Sequence, residues 1–304
     1  MTTRTQTDFS SECYQKTVAF SCHGDRVVTG GSDGIVRVWK YPSLDKVCEL
    51  KGHENEIETL SCHPSKEQVV SMCRGGKGVV WDLVNEDQEH WFTWTPGQLH
   101  TRPSEAKPTY RFRACCFPPK KKESEEFQTS LYTLTIPMDT RSKMKRCYLV
   151  KWDAGAWIVD DEISTGTELL SALAIDTGGR YLGVGTISGS ILVYSSDLKL
   201  ISKVAAVHTV FVTGLLFLPL PAKKRVPSSG KQVSKQEKLV LISVSADRTC
   251  SATLVKHKSG IFCTFLSLSV HAIVSNFVIV TLVFLLQEDS HSFSCLSSCR
   301  FCCY

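Results

Sequence analysis

The chain has 304 residues, 42% of them hydrophobic and 21% charged, with a formal net charge of +5. That composition excludes an intrinsically disordered chain, and the length allows a sizeable core. Six Lys/Arg against one Glu in Ala222–Lys238 account for the whole net charge, so the remainder balances near zero and no general nucleic-acid-binding surface is indicated.

Met1–Glu12 contains no apolar run, so no signal peptide is read there. Ten of the fourteen cysteines are scattered from Cys13 to Cys263, as expected of reduced, small apolar side chains in a cytosolic body. The first structured unit, roughly 12–52, contains GGSDGIVRVWK at Gly30–Lys40, a strand, a tight turn and a strand ending in tryptophan. A second unit, 53–95, repeats it: Ser-Cys-His stands at residues 21–23 and 61–63, and Trp39 is answered by Trp81. Trp152 closes a third unit at 108–162, and Tyr194 takes the tryptophan position in a fourth at 166–206. A fifth, 207–256, is stretched by the basic insertion. Thr95–Lys107 and Pro118–Glu126 read as exposed excursions.

Short strands recurring every 40–45 residues predict an all-β protein of the WD-repeat β-propeller kind, with about five blades visible. In such repeats a histidine between blades, a Ser or Thr, a turn Asp and a strand Trp can join by hydrogen bonds. Here the second unit offers His53, Ser71 and Trp81, with Gly75-Gly76 in place of the turn Asp. The first offers Asp33 and Trp39 without an obvious preceding histidine. Trp152 and Tyr194 complete the structural repeat residues.

Ile261–Leu286 holds no Lys, Arg, Asp or Glu over 26 residues, enough as a helix to cross a hydrocarbon core of about 30 Å. A transmembrane helix is therefore expected at 259–287; the alternative is a buried pair of propeller strands. Lys256, His257 and Lys258 precede the run while Glu288 and Asp289 follow it, which puts the repeat body (1–258) in the cytosol and a Cys-rich tail (288–304) in a lumen.

Taken together, TQTDFS, TGGSDGIVRVWKYPSLDKVCELKGHENEIETL, PTYRFRACCF, CYLVKWD and LGVGTISGSILVY resemble the family of prolactin regulatory element-binding proteins, over roughly Gln6–Val255. The resemblance implies a seven-bladed propeller anchored in the endoplasmic-reticulum membrane. It implies guanine-nucleotide exchange on the small GTPase that starts COPII coat assembly, with no bond made or broken. The family's glycine-rich, cation-associated loop has no counterpart here, so an amino-terminally short chain is expected. The Ser/Thr-diluted apolar run and the Cys-rich tail also depart from the family. Two other readings are a non-catalytic scaffold at that membrane and a nuclear, promoter-binding factor that would use Ala222–Pro227 for import. The same basic insertion also reads as a plain solvated loop or a contact with anionic lipid.

Other chemistry is set aside. Arg74–Gly78 lacks the first glycine and the final Ser/Thr of a phosphate loop and sits where a hairpin turn recurs. Cys22-His23 and Cys62-His63 stand at equivalent points of successive units and lack zinc-site spacing. Asp33 and Asp176 read as turn residues, and Gly185–Gly189 is not a nucleophile elbow. No metal, cofactor or catalytic residue is expected.

Overall fold

The computed structural model describes residues 14–99, 108–119, 129–139, 145–219, 239–255 and 265–268. They build five four-stranded antiparallel sheets, each a meander in which consecutive strands are neighbours. The first sheet is β1 (Gln15–Phe20), β2 (Arg26–Gly31), β3 (Ile35–Lys40) and β4 (Lys46–Lys51). β5 (Ile57–Cys62), β6 (Gln68–Cys73), β7 (Gly78–Asp82) and β8 (Asp87–Phe92) form the second. The third contains β9 (Tyr110–Cys116), β10 (Ser130–Pro137), β11 (Cys147–Asp153) and β12 (Ile158–Gly166). In the fourth are β13 (Leu170–Ile175), β14 (Tyr181–Thr186), β15 (Ile191–Ser195) and β16 (Leu200–Val204). The fifth comprises β17 (Val212–Pro219), β18 (Leu239–Ser245), β19 (Cys250–Val255) and β20 (Phe265–Leu268).

The expected transmembrane helix is corrected at its start. Phe265–Leu268 pair antiparallel with β19, Cys250 opposite Leu268 and Thr253 opposite Phe265. An uncharged apolar run satisfies either a spanning helix or a covered strand, and here the unpaired backbone of β19 takes it as a strand. Among the described residues no helix is long and apolar enough to cross a membrane. The rest of Ile261–Leu286, the basic stretch 222–238, the loop residues 120–126 and the tail 288–304 lie outside the described residues.

First strands of successive sheets pack side by side, β1 on β5, β5 on β9, β9 on β13 and β13 on β17. The core is correspondingly divided. One apolar cluster joins Val28, Val36 and Leu50 of the first sheet to Ile57, Val79 and Trp81 of the second. Another joins Met72 and Phe92 to Phe112, Leu131 and Trp152, where Phe92 packs against Trp152 with ring centres 4.7 Å apart. A third sets Leu134 and Leu149 against Leu182 and Tyr194, and a fourth sets Ile191 and Val193 against Phe217 and Leu241. Alternation along the second and third strands of each sheet supplies both faces, which is why those strands are buried almost throughout.

The turn between the second and third strands makes the closest backbone approach between sheets. In the fourth sheet Gly189 has φ +81°, and a Cβ there would lie 2.0 Å from the His208 carbonyl oxygen on the segment leading to the fifth. The His208 amide donates back to the Gly189 carbonyl at 3.1 Å. Gly24 also has a positive φ, +72°, but open space around it. Replacing Gly24 by Ala is therefore expected to cost about 1–2 kcal/mol for the left-handed backbone alone. Gly189→Ala adds displacement of the neighbouring sheet and is expected to cost at least about 3 kcal/mol. Denaturant midpoints of the two variants test this; equal losses would refute the close-approach argument.

Candidate functional site

A tie between a third-strand aromatic and a second-strand hydroxyl recurs in three sheets. The Trp39 indole N–H donates to Thr29 Oγ1 at 2.9 Å, Trp81 to Ser71 Oγ at 2.7 Å and Trp152 to Thr133 Oγ1 at 3.0 Å. In the fourth sheet Tyr194 sits opposite Leu182, and the corresponding hydroxyl position is Val184, so the indole donor and its hydroxyl acceptor are lost together. Burial pushes the Tyr194 phenol up to about 12. Asp33 is a turn residue: its carboxylate accepts the Ile35 amide at 3.0 Å and the Arg37 guanidinium at 2.6 Å.

His53 extends the tie to the segment between sheets. Its Nε2 lies 2.6 Å from Ser71 Oγ, and its ring meets Trp81 edge-on. The fullest set, however, is one that sequence spacing missed. In the fifth sheet His208 Nε2 lies 2.8 Å from Ser243 Oγ and Nδ1 lies 2.6 Å from Thr249 Oγ1. Asp247 in turn accepts the Thr249 hydroxyl at 2.6 Å and the Thr209 amide at 2.8 Å. His53 and Ser71 are 18 residues apart; the basic insertion stretches His208 and Ser243 to 35, outside a search by fixed period. The recurring turn aspartate, Asp247 matching Asp33, was the available signal.

The two histidines differ electrostatically as a result. With Gly75-Gly76 replacing the turn carboxylate, His53 Nδ1 is buried without a hydrogen-bond partner. Burial, reinforced by Lys77, pushes its pKa down to about 4. Burial also lowers that of His208, with Asp247 opposing the shift.

A separate polar array lies on the first strands and carries the more exposed chemistry. The Glu58 carboxylate, only 3% exposed, meets Lys16 at 3.1 Å, Arg113 at 3.0 Å and Arg111 at 3.4 Å. Glu56 meets Arg74 at 2.7 Å and Lys16 at 3.4 Å, and accepts the Tyr14 hydroxyl. That hydroxyl, with Arg74 and Lys16, holds the Glu56 carboxyl down to about 2. Four cations thus share two carboxylates across three sheets. Arg74 and Arg113 remain open to solvent at 62% and 38% exposure, which suits an acidic partner. Non-local packing of β1 on β5 and β5 on β9 assembles this array, so no contiguous motif announces it.

Two outcomes follow from these ties. Ser71→Ala strands both the His53 ring and the Trp81 indole and is expected to cost about 3 kcal/mol, against about 1.5 kcal/mol for Thr29→Val, which strands one indole. Equal costs by equilibrium denaturation would contradict the shared-acceptor geometry. The second concerns pH. His53 and His63 both sit near 4 when folded, below the ordinary value of 6.5, so the unfolded chain binds their protons first. Stability is expected to fall as pH drops from about 6.5 to 4, and to fall further from about 4.5 to 2 as Glu56 protonates. His53→Gln removes part of the upper phase only; an unchanged titration of stability in that variant would contradict the assignment.

Comparison with known proteins bears on this geometry. The family description "WD domain, G-beta repeat" matches residues 7–40. The chain is 32% identical over 264 residues to the guanine nucleotide-exchange factor SEC12 of Rattus norvegicus, covering 84% of this chain and 58% of that protein. The Mus musculus protein of the same name matches over the same extent, and SEC12-like protein 2 of Arabidopsis thaliana is 24% identical over 249 residues, covering 80% of this chain and 52% of its own. The chain therefore spans little more than half the length of these relatives. In fold it is similar to the β-propeller domain of Cps50 (Swd1) from Myceliophteria thermophila, with a TM-score of 0.55 at 16% identity over 84% of this chain and 72% of that one. The chain is thus an all-β protein of WD40 propeller fold with a WD40 repeat at residues 7–40, and it is similar to the SEC12 guanine nucleotide-exchange factors over 84% of its length.

Proposed function

We propose that the chain promotes guanine-nucleotide exchange on the small GTPase that initiates COPII coat assembly, at the endoplasmic-reticulum membrane. The observation that carries this reading is the 32% identity to the rat exchange factor over 264 residues. Exchange needs no bond to be made or broken. A factor that binds the nucleotide-free GTPase more tightly than the nucleotide-bound form lowers nucleotide affinity by that same ratio.

The array around Glu56 and Glu58 is the surface we assign to the first encounter. Arg74 and Arg113 supply exposed positive charge for an acidic segment of the GTPase, while Glu58 holds Lys16, Arg111 and Arg113 in place. Charge of this kind acts mostly on the association rate and weakens with salt. A non-catalytic scaffold is the second reading, since the same exposed cations would serve binding without exchange. Promoter binding draws only on the basic stretch 222–238, outside the described residues.

The deciding experiment follows release of a fluorescent guanine nucleotide from the GTPase on adding the 304-residue chain. Acceleration is expected, reduced roughly tenfold by Arg74→Glu with Arg113→Glu at low salt and less at high salt. Tight binding without acceleration would establish the scaffold reading, and neither binding nor acceleration would overturn both. Acceleration undiminished by the double reversal would remove the array from the mechanism.

A further inference from the structure

Cys22 and His23 occupy the turn between β1 and β2, and Glu67 lies in the equivalent turn of the next sheet. Cys22 Sγ is 3.1 Å from Glu67 Oε1, His23 Nε2 is 3.6 Å from the same oxygen, and the candidate ligand atoms all lie within 4.8 Å of one another. With bonds of about 2.0–2.3 Å, a tetrahedral zinc sets neighbouring ligand atoms roughly 3.3–3.6 Å apart. The spacing present is therefore close to what such an ion requires, without rearrangement of the backbone.

Both turns are fixed independently of any ion. In the first, Ser21 Oγ accepts the Arg26 amide at 3.2 Å and bonds Asp25 at 2.8 Å. In the second, His63 Nδ1 accepts the Ser65 and Lys66 amides at 3.2 and 3.0 Å. The turns are then tied together: the Arg26 guanidinium donates to the Leu83 carbonyl at 2.7 Å, and the Leu83 amide donates to the Glu67 carbonyl at 2.8 Å.

A second observation separates a ligand set from an ordinary surface contact. A thiol–carboxylate hydrogen bond and a neighbouring histidine account for Glu67 Oε1, but Oε2 is buried with no hydrogen-bond partner. A cation at the triad would supply the compensating charge. Burial and Glu67 push the Cys22 thiol up to about 11, so it is not a reactive thiolate in the metal-free protein.

We propose that Cys22, His23 and Glu67 form a binding site for a borderline-soft divalent cation of the zinc class, linking the first sheet to the second. One sulfur, one imidazole nitrogen and one carboxylate oxygen make three ligands, and exposed His23, 69% open, leaves the fourth position to water. Cys22 and Glu67 are 45 residues apart and belong to successive units, so the ion acts as a clip between neighbouring sheets. Sequence spacing sets zinc aside because Cys22-His23 and Cys62-His63 stand at equivalent points of successive units and lack zinc-site spacing. His63 turns inward as a turn cap, and the third ligand is instead a glutamate four residues further on.

The test is titration of the metal-free 304-residue chain with zinc, and with cobalt to read a thiolate-to-cobalt charge-transfer band. One equivalent is expected to depend on the triad, its affinity falling roughly 100-fold or more in Cys22→Ser and in Glu67→Gln. The exposed His23→Ala variant, which leaves the turn intact, is expected to weaken binding as well. Saturating zinc should raise the thermal midpoint of the unaltered chain by roughly 3–6 °C and leave Cys22→Ser unmoved. Binding retained in full by all three variants would assign the metal to other cysteines, such as the four from Cys295 to Cys303, and overturn the proposal; so would absence of binding by the unaltered chain.

Discussion

No four-stranded sheet of this size can bury both its faces alone, so each sheet depends on the one beside it. The division of the core shows this directly. Every apolar cluster is shared between two successive sheets, and among the described residues none joins the fifth sheet to the first. The end sheets bear the consequence. Val18 and Phe20 of the first are 64% and 55% exposed, and Leu216 of the fifth is 49% exposed, whereas Leu134 and Leu149 of the third are fully buried. Stability in such an array is a sum of sheet and nearest-neighbour terms, and among the described residues the first and fifth sheets each pack against one neighbour rather than two.

Apolar packing is non-directional, so it does not by itself fix how one sheet sits on the next. Polar groups do that here, in two layers. Within a sheet a hydroxyl accepts an indole N–H; between sheets a histidine from the connecting segment reaches the same hydroxyl, as His53 does at Ser71. Where the turn retains its carboxylate, as at Asp247, both ring nitrogens of His208 are engaged; where glycines replace it, His53 keeps one nitrogen unmet. Toward the first strands, Glu58 performs the corresponding task with charge, drawing cations from β1 and β9 onto β5.

Much of this was legible beforehand. The recurrence of Trp39, Trp81, Trp152 and Tyr194 marked the third strands, because the side chain must be large, apolar and able to donate or to do without a partner. Strand alternation, glycine turns and the Ser-Asp-Gly signal placed the hairpins. What escaped has a common physical origin. The His208–Asp247 set was hidden by an insertion that lengthened one connection. The Glu58 array and the Cys22–His23–Glu67 cluster are each assembled by neighbouring sheets, and a period marks equivalence rather than contact. The apolar run after residue 260 was misjudged at Phe265–Leu268 because lack of charge does not distinguish lipid from a sheet edge awaiting a strand.

Amide hydrogen exchange, resolved by strand, tests the dependence of each sheet on its neighbours most directly. Slowest exchange is predicted in β6, β7, β10, β11, β14 and β15 of the three interior sheets. β2, β3, β18 and β19 should open at lower free energy although they are internally paired just as well. Uniform protection across all five sheets would contradict the account, since it would mean that each sheet, or something other than its neighbours, supplies the stability on its own.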